Sequence, residues 1–137
     1  MSPVVAEVAD RVQQLGDRLA ALGAKVSDSA RPAIDVSSSH ETYLYMLNGV
    51  MSAGFPEDVL AVIEAQVAGL DPKDRSDDAV MARAAVQKHG EWLRYNNRRE
   101  ALRMAWRDFF QDWDVLLCPQ MATAAFPHDQ GPMGERT

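Results

Sequence analysis

The sequence predicts a mostly helical domain with one or two short β-strands. Three observations carry this. Apolar residues recur at three- and four-residue spacing in several long stretches, glycines and prolines punctuate those stretches at their ends, and one short apolar run lacks any helical or alternating period. That run is Val115-Leu116-Leu117-Cys118, closed by Pro119. Its continuous apolar character predicts a strand buried on both faces, which needs neighbours.

Length and composition set the frame. A chain of 137 residues suits one domain with a real core, and 47% apolar with 25% charged residues is a globular balance. Fourteen Lys and Arg against twenty Asp and Glu leave a net charge of -6, the wrong sign for a phosphate-binding surface, so no nucleic-acid partner is expected. The adjacent pair Arg98-Arg99 sits near Glu91 and Glu100 and reads as a solvated helix face. No apolar stretch approaches the roughly 20 residues of a membrane span, and Ser2-Pro3 reads as a helix start instead of a signal peptide. The expectation is a soluble cytoplasmic protein without a membrane partner. A single cysteine excludes an internal disulfide framework.

The elements follow in order. Ser2 and Pro3 open a helix with Val5, Val8, Val12, Leu15, Leu19 and Leu22 along one core-facing stripe, and Gly23 stops it. Ala24-Lys25-Val26 then reads as a short strand. After the loop Arg31–Asp35, Ser38 and Glu41 have capping-box spacing for a helix carrying Tyr43, Leu44, Met46, Leu47 and Met51, ending near Gly54. Pro56 begins another, with Val59, Leu60, Val62, Ile63 and Val67 inward and Gly69 at its end. Ser76 caps a pattern that continues without proline to about Trp113. Unbroken from Asp77 to Asp112, that helix would measure roughly 54 Å. A domain of this size is only about 37 Å across. The helix therefore bends near His89-Gly90, or its end packs on something outside the chain.

Chemistry-bearing residues are sparse. Ser37-Ser38-Ser39 beside His40 suggests an activated nucleophile, but helix capping already accounts for the cluster. His40, His89 and His128 lie far apart, with no ligand at metal spacing, so no metal and no cofactor are expected. Cys118 has no cationic neighbour in sequence to activate it and reads as a small buried hydrophobe. Trp92, Trp106, Phe109, Phe110 and Trp113 read as the packed side of a helix, with a ligand-binding aromatic box as the alternative.

The stretch EWLRYNNRREALRMAWRDFFQDWDVLLCPQMATAAFPHD, from Glu91 to Asp129, resembles the C-terminal half of amidase signature family hydrolases. The matching residues are Trp106, Phe109, Phe110, Asp114 to Leu117, Pro119, Ala125, Phe126 and Pro127; the earlier LAALGAKV is similar to the family's passage before its helical insertion. The resemblance implies a helix-rich fragment of the α/β amidase signature fold, and amide-bond hydrolysis by a serine acting through a second serine and a lysine. The Gly-Gly-Ser-Ser-Gly-Gly stretch and upstream lysine that supply those groups are not in this sequence, so no catalytic residue is expected here. The sequence also ends at Thr137, before a segment that supplies further strands in relatives.

By that analogy the chain is the substrate-side segment of a larger amide hydrolase acting on a small-molecule amide, and inactive alone. Tyr43, Leu47, Cys118, Gln120 and Met121 would line the substrate pocket. The alternative is a non-catalytic helical interaction or dimerisation module, with a small-molecule sensor built on the aromatic cluster as a third reading. Uncovered apolar surface would drive self-association as a homo-oligomer in the first two cases.

Overall fold

The computed structural model describes residues 4–125. They fall into two compact units, one formed by residues 4–30 with 114–125 and the other by Arg31–Trp113. Among the described residues every regular element is helical. This corrects the expectation of one or two strands and of an α/β amidase signature architecture.

In the first unit, α1 spans Ala6–Ala21. The anticipated start at Ser2-Pro3 lies outside the described residues; helix begins after Val5, whose N–H donates to Ala122 O at 2.9 Å. The end is where glycine predicts it. Gly23 adopts φ +93°, its N–H donates to Ala20 O, and Ala24 N–H reaches back to Leu19 O at 3.0 Å. This paired closure satisfies the last carbonyls of the helix and needs a left-handed residue at position 23. The closure also takes the Ala24 amide that a strand over 24–26 would use, and those residues form no ladder. Of the expected core stripe, Val8, Val12 and Leu19 are half-buried, whereas Val5, Leu15 and Leu22 are exposed.

Residues 115–119 are not a strand either. A strand exists only through hydrogen bonds to a neighbour, and Pro119 brings no N–H. Val115 is 66% exposed and Leu117 36%, so the run is not buried on both faces. Cys118 is likewise exposed, against its reading as a buried hydrophobe.

The second unit holds four helices and one 3-10 turn. Here α2 is Val36–Met51, followed by the turn Ser52–Gly54; α3 is Glu57–Ala68, α4 Asp77–Ala85 and α5 His89–Asp112. Helix α2 packs on both α4 and α5, and α3 packs on α4. The core is Leu44 and Tyr45 of α2 with Val80 and Ala84 of α4, and Met81 and Tyr95 close its edge.

The start of α2 departs from the capping box. Asp35 is the cap, its carboxylate accepting from Ser38 N–H at 2.7 Å, while Ser38 lies inside the helix and its carbonyl accepts from Thr42 Oγ1 at 2.7 Å. Glu41 is thereby freed to face α5. Helix α3 begins after Pro56 with Glu57 and Asp58 in its first turn, where carboxylates favour the positive end of the helix dipole. Leu60, Ile63 and Val67 turn inward, but Val59 and Val62 are exposed.

Ser76 caps α4 as its sequence predicts, Oγ accepting from Ala79 N–H at 3.4 Å. The loop before it is clamped by Arg83, which donates to Asp74 O at 2.6 Å and Asp71 O at 2.7 Å. In the same loop the Ser76 N–H, 2.8 Å from Asp74 Oδ1, holds that carboxyl below the usual carboxylate range. The long pattern from Ser76 to Trp113 is interrupted over Val86, Gln87 and Lys88, directly before His89-Gly90. The helix is thus interrupted close to where the sequence places a bend. The break leaves α5 at 24 residues, about 36 Å.

Candidate functional site

The break between α4 and α5 borders an open groove of about 520 Å³. Its lining includes the small residues Gly49, Ala53 and Ala84, together with Leu60 and with His89 and Trp92 of α5. Those two rings are stacked, 6.2 Å between centroids and 8° from parallel. Residues three apart on a helix share a face, which is why the first turn of α5 presents them together.

Gln87, on the break itself, fixes the groove's polar edge. Its Nε2 donates to Tyr45 O and Ala84 O, both at 2.9 Å. Two carbonyls facing the same atom identify it as the nitrogen, because the opposite orientation would set oxygen against oxygen. Its Oε1 is buried and has no hydrogen-bond partner among the described residues. Gly49 makes this arrangement possible: a Cβ there would collide with Gln87 Nε2 and stand 3.2 Å from its Cδ. Nearby, Ser52 Oγ donates to Ala85 O at 2.8 Å and keeps its lone pairs for accepting.

Chemically this groove can bind. Among the described residues Ser52 is joined to no base; its hydroxyl donates to the Ala85 carbonyl. His89 is the one ionisable side chain among its lining residues.

A second polar cluster joins α2 to α5. Tyr95 Oη donates to Glu41 Oε1 at 2.9 Å, and Arg98 Nη1 lies 3.9 Å from Glu41 Oε2. The rings of Tyr45 and Tyr95 stack at 3.7 Å and 11°, with the Arg98 guanidinium 4.9 Å from the Tyr95 centroid. Burial, and then the hydrogen bond to Glu41, push the Tyr95 hydroxyl well above its ordinary value. The charge-assisted bond makes this a structural clasp.

His40 Nε2 sits 3.1 Å from both Asp77 carboxylate oxygens, so the histidine beside the serine triplet bridges to the start of α4. It also stacks on Tyr43, 6.5 Å away.

The residues expected to line a substrate pocket divide between the units. Tyr43 and Leu47 lie one turn apart on α2, 58% and 38% exposed, and neither lines the groove. Cys118, Gln120 and Met121 belong to the other unit, all exposed. His128, and the Phe126-Pro127 part of the resemblance, lie outside the described residues. The aromatics at the end of α5 stack on one another and on the residue after it, Trp106 on Phe110 at 5.8 Å and Phe109 on Trp113 at 6.4 Å, while Phe110 remains 45% exposed.

Gln87, Ser52 and Gly49 were not singled out by sequence. The one available signal was Gly49, an unforced glycine inside the apolar-periodic stretch of α2, which marks a close approach. Comparison with known proteins adds no relative: no family model, no curated protein and no solved structure matches the chain.

Proposed function

We propose that this chain is the substrate-side, non-catalytic segment of an amide-bond hydrolase of the amidase signature type, and that it works by covering polypeptide that carries the catalytic groups. The observation behind this reading is the exposure of the very stretch that bears the resemblance. Val115 and Met121 are each 66% exposed, and Leu117 and Cys118 lie outside with them. Apolar side chains gain about 25 cal/mol for each Å² removed from water, so a run of this kind favours a covering partner. In the parent enzyme the ligand is a small amide.

The coding DNA in frame before codon one should then specify a Gly/Ser-rich serine motif with a lysine upstream of it, and the isolated chain should turn over no member of a broad amide panel. An in-frame stop directly upstream, with no such motif in an adjoining gene, rejects the proposal. So does amide hydrolysis that survives repurification of the chain alone.

A second reading is a helical interaction module without catalytic ancestry. It is favoured by the Arg31–Trp113 unit, which closes its own core of Leu44, Tyr45, Val80 and Ala84. The same stop codon that sinks the first reading supports this one.

A further inference from the structure

Helix α2 has two apolar faces and packs only one of them into the core. Its inward face supplies Leu44 and Tyr45, with Thr42 buried beside them. The opposite face carries Val36, His40, Tyr43, Leu47 and Val50 at spacings of four, three, four and three, and all five are exposed. That alternation is the seam of a helix suited to lie against another helix at a shallow angle. A helix apolar on both sides belongs inside a structure, yet Tyr43 and Val50 stay 58% and 69% exposed.

We propose that the outer face of α2 is the contact surface for a second copy of this chain, the two α2 helices crossing antiparallel so that Tyr43 of each packs against Leu47 of the other. Charge selects this occupant. A chain of net charge -6 repels its own copy over most of its surface. From Thr42 to Pro56 it holds no charged residue, so here two copies meet without like charges face to face. The flanks of the seam, Ser37, Ser39, Met46 and Met51, are uncharged too. A partner bringing charges to this face would surrender their hydration with nothing to pair to. The basic residue of the seam is His40, whose Nε2 already holds the Asp77 carboxylate at 3.1 Å. Antiparallel crossing sets His40 opposite Val50, whereas parallel crossing would set it against its own copy. Antiparallel crossing also opposes the two helix dipoles. Covering the seam on both copies buries on the order of 1,000 Å² in total, the lower edge of specific interfaces, so the pairing is reversible and concentration-dependent. The inference is independent of the hydrolase-segment reading, which rests on residues 115–121 and is decided by the reading frame.

The test is sedimentation equilibrium on the full chain. The mass should rise from one chain towards two as concentration approaches about 1 mM. Leu47→Glu and Val50→Glu each place a carboxylate in the seam, and each should raise the dissociation constant at least about tenfold. Their ellipticity at 222 nm should match the wild type, because both side chains are exposed in the single chain. Val115→Glu, at a similarly exposed apolar position outside Arg31–Trp113, should leave the dimer intact. The double variant Tyr43→Lys with Leu47→Glu should dimerise better than either single variant, since only antiparallel crossing brings the opposite charges of two copies together. A mass of one chain at every concentration overturns the proposal. So does a dimer that Leu47→Glu and Val50→Glu leave intact, one that Val115→Glu dissociates, or a double variant that regains nothing.

Discussion

The hydroxyl of Tyr95 donates to Glu41 Oε1 at 2.9 Å, across 54 residues of sequence, and ties the first half of α5 to the first half of α2. The Glu41 side chain is 29% exposed, shielded enough for the bond to count. Tyr95→Phe removes the donor and keeps the ring stack on Tyr45, and should cost about 1–2 kcal/mol of unfolding free energy in urea. Glu41→Gln in the Tyr95→Phe background should add less than it does in the wild type, because the two residues share one bond. Full additivity would show that the clasp contributes nothing.

The same hydroxyl gives the protein an alkaline limit. Its folded value is raised above the unfolded value near 10, chiefly by burial. Above pH 10 the unfolded chain gives up this proton while the folded one keeps it. The stabilisation is therefore complete below pH 10 and is lost as pH rises beyond. Urea midpoints of wild type and Tyr95→Phe should converge above pH 10; parallel curves would contradict the assignment.

Gly49→Ala sets two effects against each other. Alanine gains up to about 1 kcal/mol in a helix interior. Its Cβ would also push the Gln87 amide off Tyr45 O and Ala84 O, which loses two hydrogen bonds of about 1 kcal/mol each. The net effect should be destabilising by about 1 kcal/mol. In a Gln87→Ala background nothing remains to collide with, and Gly49→Ala should become stabilising. Thermal denaturation of the four proteins reads the change of sign directly.

The start of α2 can be assigned by two substitutions. Asp35→Ala removes the cap on Ser38 N–H and should cost about 1 kcal/mol. Ser38→Ala should change stability by less than half of that, since only its backbone takes part in the cap. Helicity at 222 nm with a urea titration distinguishes the two, and the reverse ranking would restore Ser38 as the cap.

Much of the helical layout was legible because its signals are local. Gly23, Pro56, Gly69 and Ser76 each act within a few residues of themselves, and the helices stop and start beside them. What could not be read depends on distant partners. Asp35 and Ser38 are both good caps, and the tie is broken by Glu41, which bonds Tyr95 and so is unavailable for a box with Ser38. Val115–Cys118 has strand-like composition, but composition supplies no neighbouring ladder. Gly90 is the weakest helix former in its region, yet the helix opens just before it, where Gln87 bonds the backbone of Tyr45. The groove was illegible for the same reason, since its lining residues come from separate elements brought together only by packing.

Tyr45 is held from two directions, its carbonyl by Gln87 and its ring by Tyr95. Eight positions separate those two grips, and the interruption of the helical ladder lies around one of them. A chain assembling this unit therefore cannot seat one flanking helix on α2 and leave the other adrift. The pair should dock together, so that slow amide exchange near residue 45 reports loss of both at once.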